Sequence, residues 1–430
     1  MRIGGINLGQ TIIQKILAKS AGLESVVPGQ IIDAQVNTAM IHDNTGPVVI
    51  EHFHKLPKRK VWDPEKIVIT FDHHPTNTNM SVAENHLMIK KFAEEFNIKY
   101  TYSGGDGISH TLLAENKHIL PGQVLVGTDS HTNALGALGC FATGIGATEM
   151  VGVFVRGKLW FNVPVTVKIE INGVPPFGVE VKDLALKIIS LFGPQGVNYK
   201  AVEFTGESIE RLSIPERLTL CAMSTEMGAK CAVVPADEIT AHYLGMELTD
   251  FAPYRSDEDA RYEGIVHIDL SGLCPQVAVP DLPTNATDIS NLSGENIRID
   301  QATISSCAGG NLYDLEIAAK VVKGRKVAKG VRFYVVPASK RILEEAVDKG
   351  IITTLLEAGA VIGVPGCGTC GAHYIGSLAK DEVCISSTTR NMKGRMGAGG
   401  KIYLAGSATV AASAVTGKLT DPRELLEGRI

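Results

Sequence analysis

Three cysteines in glycine-wrapped turns carry the clearest chemistry in this chain. Cys307 lies in Ser305-Ser306-Cys307-Ala308-Gly309-Gly310, and Cys367 and Cys370 lie in Gly366-Cys367-Gly368-Thr369-Cys370-Gly371. A CxxC pair delivers two thiolates to neighbouring metal atoms, a third arrives from a distant loop, and glycines let backbone N–H groups approach bridging sulfides. Three such ligands suit three corners of a cubic iron–sulfur cluster and leave one iron open. An open iron is a Lewis acid for a hydroxyl or carboxylate, which is the chemistry of moving water rather than electrons. A CxxC also occurs in zinc and thiol–disulfide sites, but structural zinc takes four ligands, and the sequence has neither a second CxxC nor an HxxxH run. Cys140, Cys221, Cys231, Cys274 and Cys384 stand singly among apolar or small residues and read as core cysteines.

A second constellation follows the CxxC. Arg390-Asn391-Met392-Lys393-Gly394-Arg395 places three cations in six residues. Such a run is ordinarily a solvated loop. Its flanking glycines and its place after the cysteine motif favour arginines that grip carboxylates in bidentate fashion, so the expected substrate is a di- or tricarboxylate.

The elements that must position these groups are short apolar runs that end in polar clusters. Residues 66–71 lead to Asp72-His73-His74, 123–127 to Thr128-Asp129-Ser130-His131, 332–336 to Pro337-Ala338-Ser339, and 360–363 to the CxxC turn. Buried strands that discharge polar residues at their carboxyl ends, with helical stretches between, describe parallel α/β sheets, and four such endings are expected to face one site. Ile12, Ile13, Ile16 and Leu17 recur at helical spacing with Gly22 as a stop, and residues 315–322 and 342–347 read as helices. Residues 165–171 alternate like a strand before a hairpin turn at Asn172-Gly173. Residues 271–297, rich in Pro and Asn, read as an irregular linker.

The expected organisation is three α/β units with mostly parallel sheets around a central cluster site: residues 1–160, 161–285 and 286–430. A length of 430 residues supports several cores, and 44% apolar residues with 45 glycines fit an enzyme with many tight turns. A net charge of −5 with no basic tract argues against nucleic-acid binding. Eight scattered cysteines suit a reducing compartment, the segment after Met1 is too short and polar for a signal sequence, and no run is apolar enough for a membrane span, so a cytoplasmic protein is expected.

Taken in order, Val126-Gly127-Thr128-Asp129-Ser130-His131-Thr132, the cysteine turns, Gly394-Arg395-Met396-Gly397 and the stretch from Ile402 to Ser413 resemble the aconitase superfamily, specifically the free-standing large subunits of 3-isopropylmalate dehydratase and homoaconitase. The resemblance implies a [4Fe-4S] cluster, one per subunit, on Cys307, Cys367 and Cys370 with one exchangeable iron. It implies that Asp72 and His73 form the pair that helps protonate a leaving hydroxyl, and that His110, Asp129, Ser130 and His131 line the same pocket. It places His42 and Glu226 among further pocket residues and makes Arg390 and Arg395 the substrate-carboxylate arginines. It implies that the proton-abstracting serine sits on a separate small swivelling subunit, so a chain ending at Ile430 is expected to be inactive alone.

Two departures stand out. The family follows its first cluster cysteine with Thr-Asn, a small residue and, in the isopropylmalate and homoaconitate branches, Arg; here Ala308-Gly309-Gly310-Asn311 stands instead. The family's asparagine before the first substrate arginine is Thr389 here. The expected activity is that of a two-subunit hydro-lyase acting on an alkyl-substituted malate. The alternatives are homoaconitate or a small maleate such as citraconate or dimethylmaleate as substrate, and, in another class, a cluster-free scaffold or RNA-binding regulator.

Overall fold

Uninterrupted runs of β-branched and small residues form strands that bury both faces. Thr38–His42, Ile67–Thr70 and Val124–Gly127 are buried along their whole length. They form the centre of a five-stranded parallel sheet, flanked by Tyr100–Tyr102 beside Ile67–Thr70 and by Phe141–Gly144 beside Val124–Gly127. The chain winds outward from Thr38–His42 in one direction, then returns and winds outward the other way from Val124–Gly127. The crevice between these two strands is therefore a topological switch point, where side chains at the carboxyl ends face open space. The computed structural model describes residues 9–251, 254–371 and 375–426. Residues 1–8, the start of the segment that reads as too polar for a signal sequence, and Ile430 lie outside the described residues.

A seven-stranded sheet repeats this logic. Gln301–Ile304 pairs in parallel with Arg332–Val335, which pairs with Val361–Ile362. The chain then returns, and Val383–Ser386 pairs with the other edge of Gln301–Ile304 and with Lys401–Ala405. Its switch point thus lies between the strand that precedes Cys307 and the strand that precedes Arg390. Between the two large sheets in sequence stands a four-stranded parallel sheet of Cys231–Val233, Ala201–Thr205, Thr166–Asn172 and Gly264–Asp269.

The helix expected near residue 12 runs over Ile12–Ser20 behind a Thr11–Gln14 capping box, and Gly22 turns the chain with φ +69°. Leu312–Val322 and Lys340–Asp348 are the helices expected in the last unit. Three expectations are corrected. Thr166–Asn172 forms no hairpin: Gly173 does turn the chain, at φ +89°, but the chain continues into the helix Val181–Phe192 and the strand pairs in parallel on both sides. The stretch 271–297 is not a plain linker, since Gln276–Ala278 and Ala286–Asp288 form an antiparallel ribbon on the edge of the third sheet. Cys274, read as a core residue, is half-buried beside that ribbon, whereas Cys140, Cys221, Cys231 and Cys384 are buried.

The first and last sheets are clasped directly. Gly107 bridges Ser339, the Ile108 N–H donates to the Ala338 carbonyl at 2.8 Å, and Ser339 Oγ donates to Glu115 at 2.8 Å. The ending Pro337-Ala338-Ser339 therefore grips the loop that leads to His110. A β-carbon on Gly107 would lie 2.7 Å from Ser339 Cα, so this close approach needs glycine.

Candidate active site

The carboxyl ends of the first sheet present a wall of imidazoles and carboxylates. Asp72, fully buried at the end of Ile67–Thr70, bonds His73 Nδ1 through Oδ1 at 2.7 Å and accepts the Ser109 N–H through Oδ2 at 2.8 Å. The neighbouring strand end supplies Asp43, whose two oxygens accept the His73 and His74 N–H groups at 3.1 and 2.7 Å, the second also lying 3.3 Å from His86 Nε2. His42 stacks on His73 with ring centroids 4.1 Å apart. Asp129, from the third strand end, bonds His110 Nε2 at 2.9 Å and accepts the His131 N–H at 2.7 Å through Oδ1, and its Oδ2 lies 3.8 Å from both His42 Nε2 and His73 Nε2. Asp129 therefore shapes the turn into the 3-10 helix Thr132–Leu138 and also faces the pocket. His131 Nε2 bonds Glu226 Oε1 at 2.8 Å, and Arg390 Nε donates to the same oxygen at 2.7 Å.

The opposing wall carries sulfur. The Cys367 N–H donates to the Asp72 carbonyl at 2.9 Å, and Cys367 Sγ lies 3.9 Å from His73 Nδ1. Arg395 donates from Nη2 to Cys370 Sγ at 3.1 Å. Asp129 and Cys370 act on the Cys307 thiol through space. Gly366 and Gly368 permit this approach, since a β-carbon at Gly366 would lie 2.8 Å from the Asp72 carbonyl oxygen and one at Gly368 2.9 Å from Val336. Thr369 braces the turn by bonding Thr303 and Ser305 hydroxyls at 2.7 Å each.

The two walls differ in charge state. Burial disfavours the His73 imidazolium, but Asp72, Asp129 and Asp43 outweigh it and raise its pKa to about 10. Burial and the adjacent His73 cation lower the pKa of His42, so of the two stacked rings one is a cation and the other neutral. Burial opposes ionisation of Asp72 and Asp129, yet the histidines around them hold both below the usual carboxylate range. On the sulfur side burial pushes the Cys307 and Cys367 thiols far up, and the facing carboxylates push the same way.

The structure thus brings Asp72, His73, His110, Asp129, His131, His42, Glu226, Arg390, Arg395, Cys307, Cys367 and Cys370 to one place. Ser130 is exposed, and its backbone carbonyl accepts the Thr225 hydroxyl at 3.1 Å beside Glu226. His86 and Lys182 were not singled out from the sequence. Lys182 stands in Val181-Lys182-Asp183 at a helix start, where a charged pair reads as surface, yet it is 1% exposed. No sequence signal marks His86, which faces inward from the middle of a long helix.

The residues present fit an iron–sulfur group. The Cys307 and Cys367 thiols, which burial and neighbouring carboxylates keep protonated, need a strong local positive charge to become thiolates, and bound iron supplies one. Four buried polar atoms of the site, His110 Nδ1 and Ser109 Oγ on the first wall and Thr389 Oγ1 and Asn311 Nδ2 on the second, have no hydrogen-bond partner among the described residues. The Aconitase family (aconitate hydratase) matches residues 14–417. The chain belongs to the aconitase family. It is 43% identical over 421 residues to 3-isopropylmalate dehydratase large subunit 1 of Methanopyrus kandleri, covering 97% of this chain and all of that protein. It is equally 43% identical over 417 residues to the probable methanogen homoaconitase large subunit of Methanothermobacter thermautotrophicus, covering 96% and 97% of the two chains. The holo-form crystal structure of Thermococcus kodakaraensis aconitase X shares its fold, with a TM-score of 0.52 at 11% identity over 97% of this chain and 96% of that one. The family resemblance and α/β fold expected from the sequence are borne out, and the chain is an enzyme of the hydro-lyase class whose family implies an iron–sulfur cluster. Among the described residues no helix is long and apolar enough to cross a membrane.

Proposed function

We propose that this chain is the catalytic large subunit of a two-chain hydro-lyase of the 3-isopropylmalate dehydratase type, with one [4Fe-4S] cluster on Cys307, Cys367 and Cys370. The observation that carries the proposal is the meeting of the cysteine turns with the His73–Asp72 pair, at Cys367 Sγ to His73 Nδ1 of 3.9 Å. When bound, the cluster supplies a Lewis-acid iron for the substrate's hydroxyl and carboxylate. His73, held as a cation by Asp72, stands ready to give a proton to the departing hydroxyl. Asp129, with His110 and His131, fixes the far side of the pocket and orients His73 Nε2. Glu226 occupies Arg390 Nε, which leaves the Nη pair as the edge offered to a substrate carboxylate. Arg395, on Cys370, stands at the border between cluster and substrate.

The base that takes the substrate's alpha proton is assigned to a separate small subunit, in keeping with the large-subunit names of the relatives. A small hydroxy acid, not nucleic acid or membrane, is the assigned ligand. The eight cysteines are free thiols in the structure, which supports a cytoplasmic setting. The expected division into three units is likewise proposed, with the first boundary kept at 160 and the second moved from 285 to before Gln276, because the ribbon from Gln276 to Asp288 is hydrogen-bonded into the third sheet. Homoaconitate is the second substrate reading, favoured by the equal identity to the methanogen homoaconitase chain. Asn311 stands where both branches place arginine, and it is buried at the start of the helix Leu312–Val322. The net charge of −5 gives the RNA-binding alternative no support.

Iron and acid-labile sulfide are to be measured after anaerobic reconstitution, with EPR of the air-oxidised sample, on the wild type and Cys367→Ser. About three to four irons per chain, a three-iron signal after mild oxidation, and loss of both in the variant are expected. Zinc, or no metal, in the wild type would overturn the proposal. Turnover of 3-isopropylmalate against homoaconitate and citraconate, with the small subunit added, then decides the substrate.

A further inference from the structure

The middle sheet reaches the cysteine turns through a single turn of helix. At the start of Val181–Phe192, the Glu180 carboxylate accepts the N–H groups of Ser407 and Ala408 at 3.1 and 2.7 Å, and Asp183 accepts the N–H of Gln276 at 2.8 Å. Between them Lys182 Nζ donates to the carbonyl oxygens of Ser387 and Thr388 at 3.0 and 2.8 Å and lies 3.4 Å from Met223 Sδ. A buried ammonium is costly unless its charge has a task or a counter-ion. Here the contacting groups are two carbonyls and a thioether, and among the described residues no carboxylate touches it. Burial lowers its pKa to about 8, and the groups that oppose this through space are Cys307, Asp314, Glu226 and Cys370.

The carbonyls that Lys182 holds belong to the segment joining the two halves of the sulfur wall. Ser387 Oγ accepts the Ser305 N–H at 3.2 Å and donates to the Gly309 carbonyl at 3.3 Å, so the segment touches the first cysteine turn on both sides of Cys307. The same segment continues through Thr389 to Arg390. Ser386 Oγ, bonded to the Thr388 hydroxyl and N–H at 2.8 and 3.1 Å, keeps the bend tight, with both carbonyls turned toward the ammonium. One cation from the middle sheet therefore fixes a loop that governs both a proposed cluster ligand and a proposed substrate arginine.

We propose that Lys182 is a positioning residue for the active site: its ammonium locks the Ser387–Thr388 carbonyls so that Arg390 and the Cys307 turn stay in register, and it provides a fixed positive charge behind the cysteines. The charge component rests on the cluster reading above; the hold on the loop does not.

Both components are tested with Lys182→Met and Lys182→Gln. Hydrogen exchange of peptides spanning residues 383–391, measured on the metal-free chain, is expected to speed up in Lys182→Met. It recovers partly in Lys182→Gln, whose amide can still donate to a carbonyl. In the reconstituted two-chain enzyme, KM rises about tenfold or more in Lys182→Met, with a smaller change in kcat, as for the loss of a charged hydrogen bond that orients Arg390. The cluster midpoint potential falls in both variants, because a fixed positive charge favours the reduced cluster. A folded Lys182→Met chain with wild-type exchange across 383–391 and an unchanged potential would overturn the proposal. Should Lys182→Met fail to fold, an unchanged potential in Lys182→Gln overturns it equally. A wild type that takes up no iron defeats the hydro-lyase reading, while the exchange comparison still decides whether Lys182 holds the loop.

Discussion

The two walls of the site are built at corresponding places in two sheets, yet they are finished differently. The first wall, at the switch point of the five-stranded sheet, is closed on itself: Asp72, Asp43, Asp129 and Glu226 each meet an imidazole, and Asp72, Asp129 and Glu226 are held ionised by those partners. The second, at the switch point of the seven-stranded sheet, has the Cys307 and Cys367 thiols pushed toward neutrality. One wall carries its own counter-charges; the other is shaped for a positive group from outside. Identical topology therefore sets where chemistry is placed, while the local balance of charge sets what has to bind there.

The sharpest way to break this contrast is to remove a counter-charge from the self-sufficient wall. Asp72→Asn keeps the shape of the side chain but removes the group that does most to keep His73 protonated against burial. We expect kcat to fall by about 10²–10⁴. The pH profile should change as well. His73 has a folded pKa of about 10, above its unfolded value, so its proton and the stability linked to it are fully present below an unfolded pKa of about 6.5 and are lost as pH rises toward 10. In the variant the alkaline limb of kcat should move downward, which stopped-flow rates across pH 6–10 would detect. An unmoved limb would mean that Asp72 is not what holds the proton.

A smaller effect is expected where the walls meet. Glu226 is shared by His131 and Arg390, so Glu226→Gln should loosen the guanidinium and raise KM by about tenfold or more, through weakening of a charge-assisted hydrogen bond, with kcat less affected. A fall in kcat with constant KM would place Glu226 in the chemistry rather than in substrate binding.

These walls were unequally legible in the sequence. Ile67–Thr70 and Val124–Gly127 could be read because unbroken apolar runs ending in Asp-His and Asp-Ser-His describe buried parallel strands, and the glycine-wrapped cysteines announce themselves by type and spacing. Asn172-Gly173 misled because a turn dipeptide fixes the turn but not the partner that follows, and here a helix intervenes before the chain returns in parallel. Lys182 could not be read, since a lysine in the first turn of an amphipathic helix is ordinarily solvated and only tertiary packing turns it inward. The role of Ser339 in gripping the His110 loop was hidden for the same reason, because strand order and contacts between sheets leave no local trace.

Gly309 gives the most local test. At this position, where the family motif has asparagine, a β-carbon would lie 2.6 Å from both the carbonyl oxygen and Cβ of Ser387. Ser387 has little freedom to yield: its N–H is bonded to the Thr303 carbonyl at 3.0 Å and its carbonyl to Lys182 at 3.0 Å. The cysteine turn would have to move instead, carrying Cys307 with it. Gly309→Ala should therefore cost about 1–3 kcal/mol in urea denaturation of the metal-free chain and should slow iron uptake during reconstitution, while the imidazole wall keeps its contacts. An alanine variant with wild-type stability and uptake would show slack between the Cys307 turn and Ser387. The glycine pair would then be a tolerated substitution, and the sulfur wall would be less tightly shaped than the wall it faces.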